Sequence, residues 1–232
     1  MKLLLTSFGD SNDSIRRALV DLLGKPIDQA RAVCVPSAVY AMTDGGTYAW
    51  EELRGLGGLG WQGFGVLELT ALPSIEEEHW VPSVEIADAI LVGGGSTPFL
   101  GYWMQESGFA ERLPGLLKEK VYLGISAGSM VMSPTLNVDR DELERTGVYY
   151  DDEYEEGAPK GTGSDRGLGL VDFAIRPHLN SEDYPNANIG TMGRWAAKLD
   201  VPTYAIDDET AIKVADGEIE VVSEGEWRLF GG

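Results

Sequence analysis

The chain has 232 residues with 18 basic against 38 acidic side chains, a formal net charge of −20 at pH 7. A surface of that sign repels phosphate backbones and anionic lipid headgroups, so neither nucleic acid nor a membrane is an expected partner. Hydrophobic residues at 43% and charged residues at 24% are an ordinary globular balance, enough to build a core, and the length fits one α/β domain over residues 1–232. The one cysteine, Cys34, lies in the apolar run Ala32-Val33-Cys34-Val35, which excludes an internal disulfide and reads as a buried thiol. Met1 to Ser7 turns polar too soon for a signal-peptide core, and no stretch approaches the ~20 apolar residues of a membrane span. The expected location is the cytoplasm.

Short apolar, β-branched runs alternate with amphipathic stretches. Strands are predicted at Lys2 to Ser7, Arg31 to Ser37, Gly65 to Leu72, Ala89 to Gly93, Val121 to Ile125 and Val171 to His178. Helices are predicted at Ser14 to Leu23, Asp44 to Arg54 and Phe109 to Leu117. This alternation implies a three-layer, doubly wound, mostly parallel sheet whose ligand site lies at the carboxyl ends of the strands. Two segments break the rhythm. Residues 139–166 carry ten acids, Asp139, Asp141, Glu142, Glu144, Asp151, Asp152, Glu153, Glu155, Glu156 and Asp165, and read as a long exposed excursion, of a length that suits covering a site. After Val201 the runs Thr203 to Ile206, Ala211 to Val214 and Glu218 to Val222 read as an antiparallel meander, with Asp216-Gly217 as a hairpin turn.

Gly124-Ile125-Ser126-Ala127-Gly128 stands between the strand Val121 to Leu123 and a segment able to start a helix. This is the strand-turn-helix setting of a nucleophile elbow. The serine needs a sharp, strained turn, and the flanking glycines remove Cβ atoms that would collide with strand and helix. The Ala127 N–H at the helix start is a candidate oxyanion donor. Gly93-Gly94-Gly95-Ser96-Thr97 ends a strand and can aim further N–H groups at an anion, or can be a tight turn only. A phosphate loop would need Gly-Lys-Ser/Thr, and a dinucleotide fingerprint would need glycine where Pro98 stands.

A serine nucleophile needs a base, and the chain has two histidines. His79 sits in the acidic run Glu76-Glu77-Glu78-His79-Trp80, whereas His178 ends a strand at the edge where Ser126 is expected, so His178 is the candidate base. The orienting acid is either Asp208, at a late strand end, or Asp141, fifteen residues past Ser126. Arg176, two residues before His178 on an extended strand, faces the same side and could receive an acidic substrate group or pair with a local acid.

Together these pieces resemble the serine peptidases of the peptidase E and cyanophycinase group, which share a fold with class I glutamine amidotransferases. The matching segments are Leu4-Leu5-Thr6-Ser7, Gly93-Gly94-Gly95-Ser96-Thr97, Gly124-Ile125-Ser126-Ala127-Gly128, Pro134-Thr135, Pro177-His178 and Ile206-Asp207-Asp208-Glu209-Thr210-Ala211. They run in family order along nearly the whole chain. The resemblance implies Ser126 as nucleophile, His178 as base, and Gly94 or Gly95 with Ala127 as oxyanion donors; Ser96, Thr97 and Arg176 are the candidate substrate contacts. Family members place the acid either where Asp141 falls or where Asp208 falls; Asp208 is favoured because an orienting acid must be held rigidly. The family's glycine loop carries asparagine where this chain has Ser96, and Arg194 lies two residues beyond the family's arginine. The implied activity is removal of an N-terminal aspartate from small peptides, without metal or cofactor. The alternatives are cyanophycinase-like cleavage of β-aspartyl-arginine material, or a non-catalytic binding protein on the same scaffold. Strand edges and six tryptophans leave room for a homodimer.

Overall fold

A computed structural model describes residues 1–136, 138–151, 154 and 156–231, with the backbone alone at Glu156. Asp152, Glu153 and Glu155 of the acidic excursion lie outside the described residues. The strands are β1 (Lys2–Thr6), β2 (Arg31–Val35), β3 (Gly63–Val66), β4 (Ala89–Val92), β5 (Val121–Ile125), β6 (Tyr150–Asp151), β7 (Glu156–Gly157), β8 (Ala174–Arg176), β9 (Thr203–Ile206), β10 (Thr210–Ala215), β11 (Glu218–Ser223) and β12 (Trp227–Phe230). The helices are α1 (Asp13–Leu23), α2 (Gly45–Gly57), α3 (Glu77–Glu85), α4 (Thr97–Glu106), α5 (Phe109–Leu116), α6 (Ala127–Met130), α7 (Arg140–Thr146) and α8 (Ile189–Ala196).

A seven-stranded sheet runs in the order β11-β10-β1-β5-β4-β2-β3. Its five strands from β1 to β3 are parallel, while β10 pairs antiparallel with β1 and β11 antiparallel with β10. The period-2 alternation of strands splits the core into two faces. Leu3, Leu5, Val33, Val35, Ile90 and Val92 join Trp80, Met104 and Phe109 from α3, α4 and α5. Leu4, Cys34, Leu91 and Leu123 join Ile15, Leu19 and Leu22 from α1 and Leu56 from α2. Each fully buried leucine contributes roughly 1.5–3 kcal/mol relative to exposure. Among the described residues no helix is long and apolar enough to cross a membrane.

Three departures from the sequence expectations matter for the site. The predicted strand Val171 to His178 shrinks to β8 and leaves the main sheet, pairing parallel with β9 in a second sheet ordered β12-β9-β8. The C-terminal antiparallel strands are therefore shared between two sheets: β10 and β11 form the hairpin, with φ positive at both Asp216 and Gly217, and β9 pairs antiparallel with β12. The second half of predicted strand Gly65 to Leu72 is a 3₁₀ turn, Leu69–Ser74, stabilised by the Glu68 carboxylate on the Thr70 N–H and the Ser37 hydroxyl on the Leu69 N–H. The excursion is a folded unit holding α7 and the β6/β7 pair rather than an exposed loop throughout, and both Asp151 and Tyr154 are buried.

Candidate active site

Ser126 follows β5, the central strand of the seven-stranded sheet, between β1 and β4. Its backbone holds φ 48° and ψ −109°, a conformation costly for any side chain and kept only where neighbours impose it. Those neighbours are β1 and β4. The Ser126 N–H donates to the Thr6 carbonyl at 3.0 Å, the Gly128 N–H donates to the Gly93 carbonyl at 3.1 Å, and Ser129 Oγ donates to the Thr6 carbonyl at 2.7 Å. Below the turn, the fully buried Tyr122 hydroxyl donates to the Gly128 carbonyl at 2.7 Å. The two flanking glycines are required by space: a Cβ at Gly124 would lie 2.6 Å from the Gly128 oxygen, and one at Gly128 would lie 2.1 Å from the Val92 oxygen.

The other groups arrive from the carboxyl ends of other strands, where α/β sheets hold their ligands. His178, two residues past β8, has φ 62° and is fixed by its N–H on Ser7 Oγ at 2.8 Å. Its Nε2 lies 2.9 Å from Ser126 Oγ, and its Nδ1 lies 2.7 Å from Asp208 Oδ1. Asp208 is presented by the turn between β9 and β10, which Asp207 shapes by accepting from the Glu209 N–H and the Thr210 hydroxyl. Burial pushes the Asp208 carboxyl up. The His178 hydrogen bond, the imidazole's charge and the Ser7 hydrogen bond outweigh that and hold it below the usual aspartate range. A persistent carboxylate beside Nδ1 places that nitrogen's proton toward the acid and frees Nε2 to accept.

Ser7 carried no role in the sequence reading, although its place at the end of β1 was a signal. Its hydroxyl donates to Asp208 Oδ1 at 2.6 Å and accepts the His178 N–H, bracing acid and imidazole together. Tyr184 stacks on the imidazole at 4.4 Å between ring centroids, and Tyr154 meets it edge-on at 6.1 Å. No periodic pattern marks either tyrosine.

The remaining candidates separate. Asp141 lies in the first turn of α7 on the excursion, whereas the carboxylate at His178 Nδ1 is Asp208. Ser96 and Thr97, expected to face substrate, are buried: Ser96 caps α4 by accepting the Phe99 N–H, and Thr97 Oγ1 lies against Met130 Sδ. Ser96 followed by Pro98 is a helix-start pattern, and packing uses it as one. Arg176 is fully buried rather than turned to a ligand. It pairs with Asp151 at 3.1 Å and lies between the Tyr154 and Trp195 rings, 4.5 Å from each centroid. His79 is solvent-exposed beside Glu78. Gly94 lies over Ser126, where a Cβ would stand 3.5 Å from Ser126 Cβ, but its N–H donates to Glu52 Oε2 at 2.9 Å. The N–H groups of Gly95 and Ala127 have no acceptor among the described residues. No group of three or more His, Cys, Asp or Glu is arranged to hold a metal ion among the described residues.

A family model described as Peptidase family S51 matches residues 3–222. Peptidase E of Nostoc sp. (strain PCC 7120) is 25% identical over 169 residues, covering 70% of this chain and 63% of that protein; the match spans less than two thirds of the relative's length. Among solved structures, a candidate peptidase E protein from Listeria monocytogenes EGD-e superposes with a TM-score of 0.64 at 21% identity, covering 97% of this chain and 98% of that one. A peptidase from an acI-B1 Actinobacterium superposes with a TM-score of 0.56 at 19% identity, covering 99% and 96%. At these identities the two structures speak for a shared fold.

Proposed function

The chain belongs to peptidase family S51, and on that premise we propose that it is a dipeptidase E-like serine exopeptidase acting on small peptides. Ser126 is the nucleophile, His178 the base and Asp208 the orienting acid. One observation carries the reading: three side chains from separate parts of the chain meet in one hydrogen-bonded line of 2.9 and 2.7 Å, with the serine on a strained elbow.

Ser126 Oγ attacks the scissile carbonyl carbon while its proton passes to His178 Nε2. Asp208 stabilises the imidazolium, and N–H groups at Ala127 and in the glycine loop receive the negative oxygen. His178 then gives the proton to the leaving amine, and water, activated by the same imidazole, releases the acyl group. Tyr154 beside His178 gives the excursion the role of a wall against longer chains, so cleavage falls as peptides lengthen.

The family resemblance favours an N-terminal aspartate. Arg176, enclosed against Asp151, is not the group that receives that carboxylate. The same enclosure favours a second reading, β-aspartyl-arginine material, whose basic side chain suits a chain of net charge −20. A panel of α-aspartyl, β-aspartyl and neutral dipeptides, tested on the wild type and Ser126→Ala, separates the possibilities. The expected result is turnover of at least one aspartyl class that disappears with Ser126. Equal turnover in the variant overturns the serine mechanism, and no turnover of any peptide leaves the non-catalytic reading in its place.

A further inference from the structure

Glu52 stands outside the Ser126, His178 and Asp208 line, yet it touches the loop that faces the nucleophile. It projects from α2 and its Oε2 accepts the Gly94 N–H at 2.9 Å. Its Oε1 is closed off from solvent with no hydrogen-bond partner among the described residues. That oxygen lies against Gly93, where a Cβ would come within 1.8 Å of it, so only glycine leaves room for the carboxyl.

Glu52 divides the donors of the loop. The Gly93 N–H goes to the Val35 carbonyl, Gly94 to Glu52 and Ser96 to the Ala38 carbonyl. Gly95, held at φ +119° against the Ala38 backbone, is the one between them whose N–H stays available. We propose that Glu52 is a positioning residue, which fixes the Gly93–Gly94 peptide so that the Gly95 N–H, with that of Ala127, receives the oxyanion, and which works as the neutral acid. This rests on Ser126 being the acylating nucleophile.

A fixed negative charge one peptide away would oppose the charge developing on the substrate oxygen, and in a shielded site that opposition is strong. The surroundings favour the neutral form. No ion pair reaches Glu52 among the described residues, and the groups whose charge it opposes are Cys34 on β2 and Tyr40 in the 3₁₀ turn Ser37–Ala41, where Glu68 acts in the same sense. None is a cation. Burial pushes the Glu52 carboxyl up to about 7, opposed by the Gly94 hydrogen bond.

The test uses the full chain, Glu52→Gln, which keeps an acceptor oxygen but cannot ionise, and Glu52→Ala. Kinetics are followed from about pH 5.5 to about pH 9 on the best dipeptide of the panel. The wild type is expected to lose kcat as pH rises past about 7, and Glu52→Gln to lose that fall. Glu52→Ala is expected to lower kcat by about tenfold or more with KM changed by less than about threefold. A descending limb unchanged in Glu52→Gln overturns the proposal. So does a kcat raised in Glu52→Ala, which would make Gly94 the true donor and Glu52 its plug. If Glu52→Ala does not fold, the Glu52→Gln profile decides. A wild type that cleaves nothing overturns the peptidase reading alone, because ¹³C NMR of labelled glutamate reads Glu52 separately: titration near 7 supports the neutral acid, and titration near the ordinary 4.5 overturns it.

Discussion

The nucleophile side and the base side of this site are built in opposite ways. Ser126, its glycines and the facing loop come from β4, β5 and the turns after them, between residues 89 and 130, in the middle of the main sheet. His178 rises from a three-residue strand in a second sheet. It is held by Ser7 from the other end of the chain, Asp208 from the β9/β10 turn, Tyr184, and Tyr154 from the excursion. The Ser126 geometry is thus set by one tight turn and the two strands that flank it, β1 and β4. A base's geometry is a property of contacts between segments far apart in sequence, and it is where distant substitutions should act.

The largest expected effect falls on the nucleophile side. Ser126→Ala should lower kcat by about 10³-fold or more while the unfolding midpoint stays close to the wild type, since a smaller side chain is placed at a strained position. On the base side, Asp208→Asn should cost about 10²- to 10⁴-fold by favouring the wrong tautomer, whereas Asp141→Asn should leave kcat within about twofold. Equal losses at the two positions would undo the assignment of the acid. Asp208 also predicts an acid limb. Its folded-state pKa lies below the ordinary 3.8, so its stabilisation is present above that value and is lost as pH falls through the lower folded-state value. Stability measured against pH by denaturant titration should lose part of that limb in Asp208→Asn.

Arg176→Met sharpens the contrast through stability. Removing a fully buried cation breaks its ion pair with Asp151, an expected loss of about 3–5 kcal/mol. The same variant should lower kcat, because Asp151 and Tyr154 tie the excursion to the strand that carries His178; unchanged kcat in a destabilised protein would separate the excursion from the base. Among the variants expected to lower kcat the smallest effect is Ser7→Ala, which removes one brace shared by acid and imidazole. About a tenfold loss in kcat with little change in KM is expected from steady-state kinetics.

The sheet was readable because period-2 alternation and β-branched runs mark buried parallel strands, and four of the six predicted strands, those at β1, β2, β4 and β5, lie within two residues of their observed bounds. Helices α3 and α4 escaped: Pro82 interrupts one, and the other begins inside a glycine loop whose Ser96-Thr97-Pro98 start was read as substrate contact. Scarcity of histidine singled out His178, and the elbow motif singled out Ser126. Asp208 against Asp141 stayed open, since both are acids past the elbow and only the β9/β10 turn decides which reaches Nδ1. Glu52 was silent, because a glutamate on an amphipathic helix reads as surface until the loop that packs over it is known.

Sequence alone determined the layered α/β fold, the elbow with its two obligatory glycines and the pairing of serine with histidine as candidate groups, because each rests on local sterics or on residue types too rare to confuse. Only the tertiary structure decided that β8 leaves the main sheet, that Arg176 is enclosed by Asp151, Tyr154 and Trp195, and that Ser7 and Glu52 touch the machinery. Those outcomes depend on which distant segments share a desolvated space, where a charge must find a partner or give up its charge, and no run of neighbouring residues carries that information.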